Sequence, residues 1–334
     1  MTTPKSIYSR REFLVSSAAA LASPHLVCAA GPATPPEPII DIHQHTNYGG
    51  GRDKARGYIP ILPAPRSDAD LVSHQRSLGV TKTILLPSGR SVSRPSTLHG
   101  QANGLDSSCS GNDDCVAVAR QHPGEFEFGA NEVSDLDDAP RVIEKYLKLG
   151  AVVIGEQKFS VECDAPYMQK LYALAAAYRV PILMHWQTGS YNLGFERFHQ
   201  MLAKYSNVTF IGHAQTWWAN IDRANVDNAK QLYPRGKVTP GGLTDRYLRD
   251  YPNMFGDLSA GSGLGAFNRD PEHARAFLER HQDKLMFGSD CIDVTGEPVK
   301  CSGARQLAQL RELAPTKAIE RKLLFANAKR VFRF

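Results

Sequence analysis

The sequence predicts an α/β chain folded as a (β/α)8 TIM barrel in a single domain. Three observations lead there. Short β-rich runs alternate with helical patterns through residues 31–334. The alternation repeats eight times, at about 30 to 40 residues per unit. No internal repeat or low-complexity linker marks a second domain, and about 300 residues suffice for one large core.

The elements follow in order. IIDIHQH (39–45), TKTILLP (81–87), FEFGANE (126–132) and AVVIGEQKF (151–159) are the first four strand runs. PILMHWQ (181–187), VTFIGHAQ (208–215), MFGDLSA (254–260) and KLMFGSD (284–290) complete the set. Each is a short apolar run of the kind a parallel sheet buries on both faces. Helices are expected over 68–78, 137–149, 166–178, 195–204 and 271–281, with a last one over 316–328. Long excursions follow strands one, two and six, over 46–67, 88–120 and 216–250. Loops after strands lie at the C-terminal face, where barrel active sites are built.

Residues 1–30 are set apart as a targeting signal. SRREFL (9–14) matches the twin-arginine export pattern, and a moderately apolar stretch to Val27 follows; it is too short for a permanent span, which needs ~20 apolar residues. Cleavage is expected near residues 27–31, with Cys28 open to reading as a lipidation site. The implied partner is the twin-arginine export machinery and the implied location periplasmic or secreted. No later segment is long and apolar enough to be a stable membrane span. Removing Lys5, Arg10, Arg11 and Glu12 takes the net charge from +5 to +3, so no basic stripe argues for nucleic acid. Five cysteines remain, without a disulfide framework; Cys109 with Cys115, and Cys291 with Cys301, are near enough in sequence to pair.

The chemistry sits at the strand ends. Alternation puts His43 and His45 on one face of the first strand, directed into the barrel mouth. Strand five ends at His185, strand six at His213 and strand eight at Asp290. Closure of a barrel brings these ends together, and imidazole with carboxylate suits zinc, manganese or iron(II). On strand four, Glu156 and Lys158 share a face. Glu156 is open to three readings: a ligand bridging two ions, a general acid, or the ion-pair partner of Lys158. Burial of either group alone would be costly, so the two are expected to interact.

The set DIHQH, LMHW, FIGHA and FGSDC, closed by LLFANAKRVF, resembles the amidohydrolase superfamily over residues 39–334. More narrowly it is similar to the branch holding aminocarboxymuconate-semialdehyde decarboxylase, benzoate-type decarboxylases and lactone hydrolases. The resemblance implies a divalent metal cofactor, zinc before manganese or iron(II), as one or two ions. It implies His43, His45, His185 and Asp290 as ligands, with His213 binding a second ion or orienting a metal-activated water. Asp290, His213 and Glu156 are then the catalytic candidates, Asp290 as the group that carries the proton. The expected reaction is hydrolysis of an ester, lactone or amide in a small cyclic or acidic substrate. Metal-dependent decarboxylation of an aromatic or unsaturated acid is the alternative, and a noncatalytic metal-binding barrel the third reading. Homo-oligomerisation is implied by resemblance only.

For substrate recognition, Arg90 and Arg94 after strand two and Trp217 and Trp218 after strand six are the candidates, as guanidinium groups and aromatic walls for a cyclic acid. Solvated surface arginines and tryptophans packed beneath a long loop are the competing readings. Trp186 is expected in the barrel–helix core. His74, His122, His199, His273 and His281 are read as structural or surface residues, and Cys291 as a small packing residue.

Overall fold

The structure is a computed structural model that describes residues 37–49, 66–97, 109–225 and 231–334; the export signal with Cys28, and parts of all three excursions, lie outside the described residues. Among the described residues eight parallel strands follow one another: β1 Ile40–Gln44, β2 Lys82–Leu85, β3 Phe126–Phe128, β4 Ile154–Gln157, β5 Ile182–His185, β6 Phe210–His213, β7 Met254–Asp257 and β8 Leu285–Met286. Each falls inside a run expected from sequence. β1 to β3 form one ladder and β4 to β8 another. Backbone bonds bridge both seams. Between β3 and β4, Ala130 N donates to Val153 O (2.8 Å) and Gly155 N to Ala130 O (2.9 Å). Between β8 and β1, Ile42 N donates to Phe287 O (3.1 Å) and Asp290 N to His43 O (2.9 Å).

Twelve α-helices surround the strands among the described residues: α1 Asp68–Ser77, α2 Asn112–Gln121, α3 Ala139–Lys148, α4 Pro166–Tyr178, α5 His199–Lys204, α6 Ala214–Ala219, α7 Leu243–Asp250, α8 Ala260–Asn268, α9 Pro271–Arg280, α10 Ser302–Leu313, α11 Lys317–Arg321 and α12 Asn327–Phe332. Local chemistry starts several of them. Ser67 and Asp70 form a reciprocal capping box on α1, Pro166 opens α4, and Asp270 caps α9 ahead of Pro271. Expectation and structure part at α2, α6 and α7, which lie in stretches read as excursions, and at α8 and α10. Glycines thin the apolar stripe in AGSGLGAFN of α8, and α6 is only six residues long, too short to show a period.

The barrel interior is an apolar layer of Ile40, Ile42, Ile84, Leu86, Val153, Leu183, Ile211 and Met286, sealed by Ala328 and Phe332. Strict alternation would put Ile42 and His43 on opposite faces. The β1–β2 register instead shifts between Asp41 and Gln44, and this bulge lets Ile42 stay in the core while His43 turns to the mouth above it. A second shift interrupts the β4–β5 register between Ile154 and Gln157. There Gly155 has φ +141°, and a Cβ on it would stand 2.7 Å from Leu183 O. Only glycine fits that backbone.

Asp41 fastens β1 to the chain after β8. Fully buried, it accepts from His43 N (3.0 Å), Ser289 N (2.9 Å) and Gln75 Nε2 (2.8 Å), and from the Ser289 hydroxyl. Arg66, also buried, donates to Cys291 O (2.7 Å), His45 O (3.1 Å) and the Gln44 side chain. Cys109 and Cys115 do not pair. Both thiols are free, and Cys115 lies within α2 with Sγ 3.6 Å from Thr46 Oγ1.

Gly155→Ala is expected to cost about 3 kcal/mol through strained backbone and the Leu183 contact. Denaturant unfolding of the variant beside wild type measures it; a loss below experimental error would show that the β4 bend tolerates a side chain.

Candidate metal centre

Six predicted residues meet at the mouth. His43 Nε2 and His45 Nε2 stand 3.2 Å apart, each 3.5 Å from Glu156 Oε2. Asp290 Oδ1 lies 3.8 Å from the first and 3.6 Å from the second. On the other side, His213 Nε2 is 3.7 Å from both Glu156 Oε1 and Asp290 Oδ2, and His185 Nδ1 is 2.5 Å from Glu156 Oε1. Glu156 thus turns one oxygen to each histidine pair, and Asp290, at longer range, turns one oxygen to His43 and His45 and the other to His213.

The outer nitrogens of three histidines are already engaged. His45 Nδ1 faces Leu86 O at 2.6 Å; a carbonyl only accepts, so this nitrogen carries hydrogen and Nε2 offers its lone pair to the centre. His43 Nδ1 meets Asp257 Oδ2 at 2.7 Å. His213 Nδ1 lies 3.0 Å from Ser259 Oγ and 3.2 Å from Asp257 Oδ2. Histidines held this way by a carboxylate or carbonyl are oriented as metal ligands. Gly288 makes room for the contact, since a Cβ there would stand 2.5 Å from Asp257 Oδ1 and 2.9 Å from His43 Cβ.

Charge balance in the site is tight. Burial opposes the charged form of His43, yet Asp290, Asp257 and Glu156 together outweigh it and raise its pKa well above the ordinary histidine value. Burial and then the neighbouring His43 push His45 down to about 4. His185 also falls to about 4, through burial and Lys158. For Asp257 and Glu156, burial favours the neutral acid but the adjacent histidines prevail and hold both below the usual carboxylate range. Asp290 Oδ1 is a buried oxygen with no hydrogen-bond donor, facing His43 Nε2 and His45 Nε2. That orphaned oxygen fits a divalent cation, which would replace protons as the counter-charge. His43, His45 and Glu156 are grouped closely enough to hold one ion, and Glu156, His185 and His213 a second.

Glu156 and Lys158 are not an ion pair; the carboxylate turns to the histidines. Lys158 Nζ lies 5.6 Å from the Tyr191 ring centre. Burial disfavours its charge, but Glu156, Tyr191 and Asp290 more than offset this and keep the ammonium charged. Tyr191 packs edge-on against His185 at 5.4 Å and Tyr48 against His45 at 4.8 Å, two aromatic walls that sequence reading did not single out.

The four substrate candidates lie elsewhere. Arg90 is paired with Glu132 (3.1 Å) and with Asp138. Arg94 is 3.6 Å from Asp135 Oδ2 and donates to Asp135 O (2.6 Å). Their guanidinium groups answer acids after β3, not the centre. Trp217 and Trp218 are fully buried: Trp217 lies over Gly212, while Trp218 packs on Phe267 and donates to Asp257 O (3.0 Å). Packing is their role, as it is for Trp186 against Phe195 and Phe198. Asp257 was missed, although it closes the MFGD run just as the other candidates close theirs. The same scan of strand ends would have found it.

An amidohydrolase family model matches residues 246–334. No curated protein matches the chain in sequence. Among solved structures, a probable 2-pyrone-4,6-dicarboxylic acid hydrolase from Acinetobacter baumannii matches with TM-score 0.56 and 13% identity, over 89% of this chain and 99% of that one. A 5-carboxyvanillate decarboxylase from Sphingomonas paucimobilis gives 0.55 and 13%, over 90% and 100%. Another from Novosphingobium aromaticivorans, with manganese bound, gives 0.51 and 11%, over 89% and 97%. At these identities the structural matches speak for the barrel fold. The resemblance to the amidohydrolase superfamily is therefore matched in sequence over residues 246–334, which hold FGSDC and LLFANAKRVF, while the structural matches show the barrel fold.

Proposed function

We propose that this chain is a metal-dependent hydrolase that cleaves an ester, lactone or amide bond in a small cyclic carboxylic acid. The observation that carries the reading is Glu156, whose two oxygens each face a separate histidine pair. Ions bound there, zinc before manganese or iron(II), would supply a Lewis acid and a water acidified toward neutral pH. The remaining work belongs to side chains. Asp290 sits between both groups, placed to take a proton from the attacking water and return it to the leaving group. His213, held by Asp257 and Ser259, stabilises negative charge as it develops on the substrate oxygen. Tyr48 and Tyr191 border the histidines as flat walls, and Lys158 is placed to bind a substrate carboxylate. The fold-mates support the substrate class, since a pyrone dicarboxylate and a carboxyvanillate are both ring acids.

We also propose that residues 1–30 direct twin-arginine export to the periplasm or beyond. The support is SRREFL and the apolar stretch behind it; homo-oligomerisation is proposed with it, on resemblance alone.

Three outcomes are expected. Asp290→Asn lowers kcat by about 10³ while the barrel stays folded, and turnover in ¹⁸O-labelled water puts label into the wild-type product; release of carbon dioxide with no label in the organic product would establish decarboxylation instead. Lys158→Met raises KM about tenfold for an acidic substrate and leaves its neutral ester analogue little changed; equal effects on both would remove Lys158 from carboxylate binding. Arg10→Lys with Arg11→Lys keeps the chain in the cytoplasmic fraction, whereas unchanged export would refute the signal.

A further inference from the structure

Behind the metal centre lies a second cluster that the proposed reaction does not use. His74, Cys291 and Cys301 are all buried and close together. Cys291 Sγ and Cys301 Sγ are 3.1 Å apart, and His74 Nε2 is 3.1 Å from Cys301 Sγ. We propose that Cys291 and Cys301 form a reversible disulfide, clipping the segment after β8 to the start of α10 one residue from Asp290.

The surroundings prepare both sulfurs. His74 Nδ1 lies 2.9 Å from Gln75 Oε1; an amide oxygen only accepts, so Nδ1 carries hydrogen and the Nε2 lone pair faces the thiol. Cys301 caps α10, a helix of twelve residues, and its sulfur accepts from Ala304 N at 3.3 Å. Cys291 is held in place through its carbonyl by Arg66 (2.7 Å) and Gln44 (3.1 Å). Gly303 lets α10 approach closely, for a Cβ there would be 2.6 Å from Ser289 Cβ. The contact favours a direct bond over a shared ion. Tetrahedral zinc with Zn–S of about 2.3 Å separates two sulfurs by ~3.8 Å, and among the described residues this cluster offers three donors, one short of a closed site.

The chemistry needs a low-molecular-weight disulfide as oxidant. One of the two cysteines loses its proton and attacks that disulfide, expelling one thiol and forming a mixed disulfide. The other cysteine, losing its proton, then displaces the second thiol. One S–S bond forms in the protein as one breaks in the reagent, and two protein hydrogens leave with the two small thiols. The segment between is exposed at Val299, so local opening admits the reagent.

The test is a peptide map of the full chain after incubation with oxidised glutathione, alkylated during denaturation. Trypsin cuts after Lys284, Lys300 and Arg305, leaving the two cysteines on separate peptides, 285–300 and 301–305. The proposal expects these two peptides linked, two hydrogens lighter than their sum, separating on treatment with a phosphine and absent from Cys301→Ser. Recovery of both as free alkylated peptides overturns it, as does linkage of either to Cys109, Cys115 or Cys163. Release of a soft divalent ion on titration of the thiols with a mercurial overturns it too, by assigning the cluster to a metal.

Discussion

Four imidazoles and three carboxylates are buried together at the mouth of this barrel, and their mutual compensation is the constraint on which the rest depends. A carboxylate or imidazolium alone at such depth costs several kcal/mol. His43, His45, His185 and His213 therefore stand against Glu156, Asp257 and Asp290, each acid touching at least two histidines. The arrangement leaves imidazole lone pairs and the orphaned Asp290 oxygen converging on one region. A positive ion there completes what protons complete less well.

The scaffold around this cluster keeps it from relaxing into ordinary ion pairs. Asp41 locks β1 to Ser289, Arg66 ties the end of β1 to the chain after Asp290, and the bulge in β1 turns His43 up from the apolar layer. From the C-terminal end, Leu323 O accepts from Phe287 N and Asn327 donates to Leu285 O, so the last helices hold β8 in the ring. Precision at such a barrel mouth rests on this fastening, because the candidate ligands come from several different strand ends.

Much of this was legible in the sequence. All eight strands follow from short apolar runs, and His43, His45, His185, His213 and Asp290 follow from reading which polar residue ends each run. What escaped has physical reasons. The bulges in β1 and β4 are produced by register, which period-two alternation cannot reveal. The orientation of Glu156 toward the histidines, away from Lys158, is decided by the bend at Gly155. Arg90 and Arg94 were reasonable anion binders until Glu132, Asp135 and Asp138, some forty residues distant, came to pair with them. The proximity of His74 to Cys301 is likewise a product of closure, which sets α1 beside α10.

The most direct test of the account is the metal content of the purified chain, wild type beside Glu156→Gln, by plasma mass spectrometry after growth with added zinc. The account predicts at least one tightly held divalent ion per folded wild-type chain and a clear loss of metal from the variant, whose amide can neither balance the charge nor bridge. A folded wild-type chain that retains no divalent ion would contradict it.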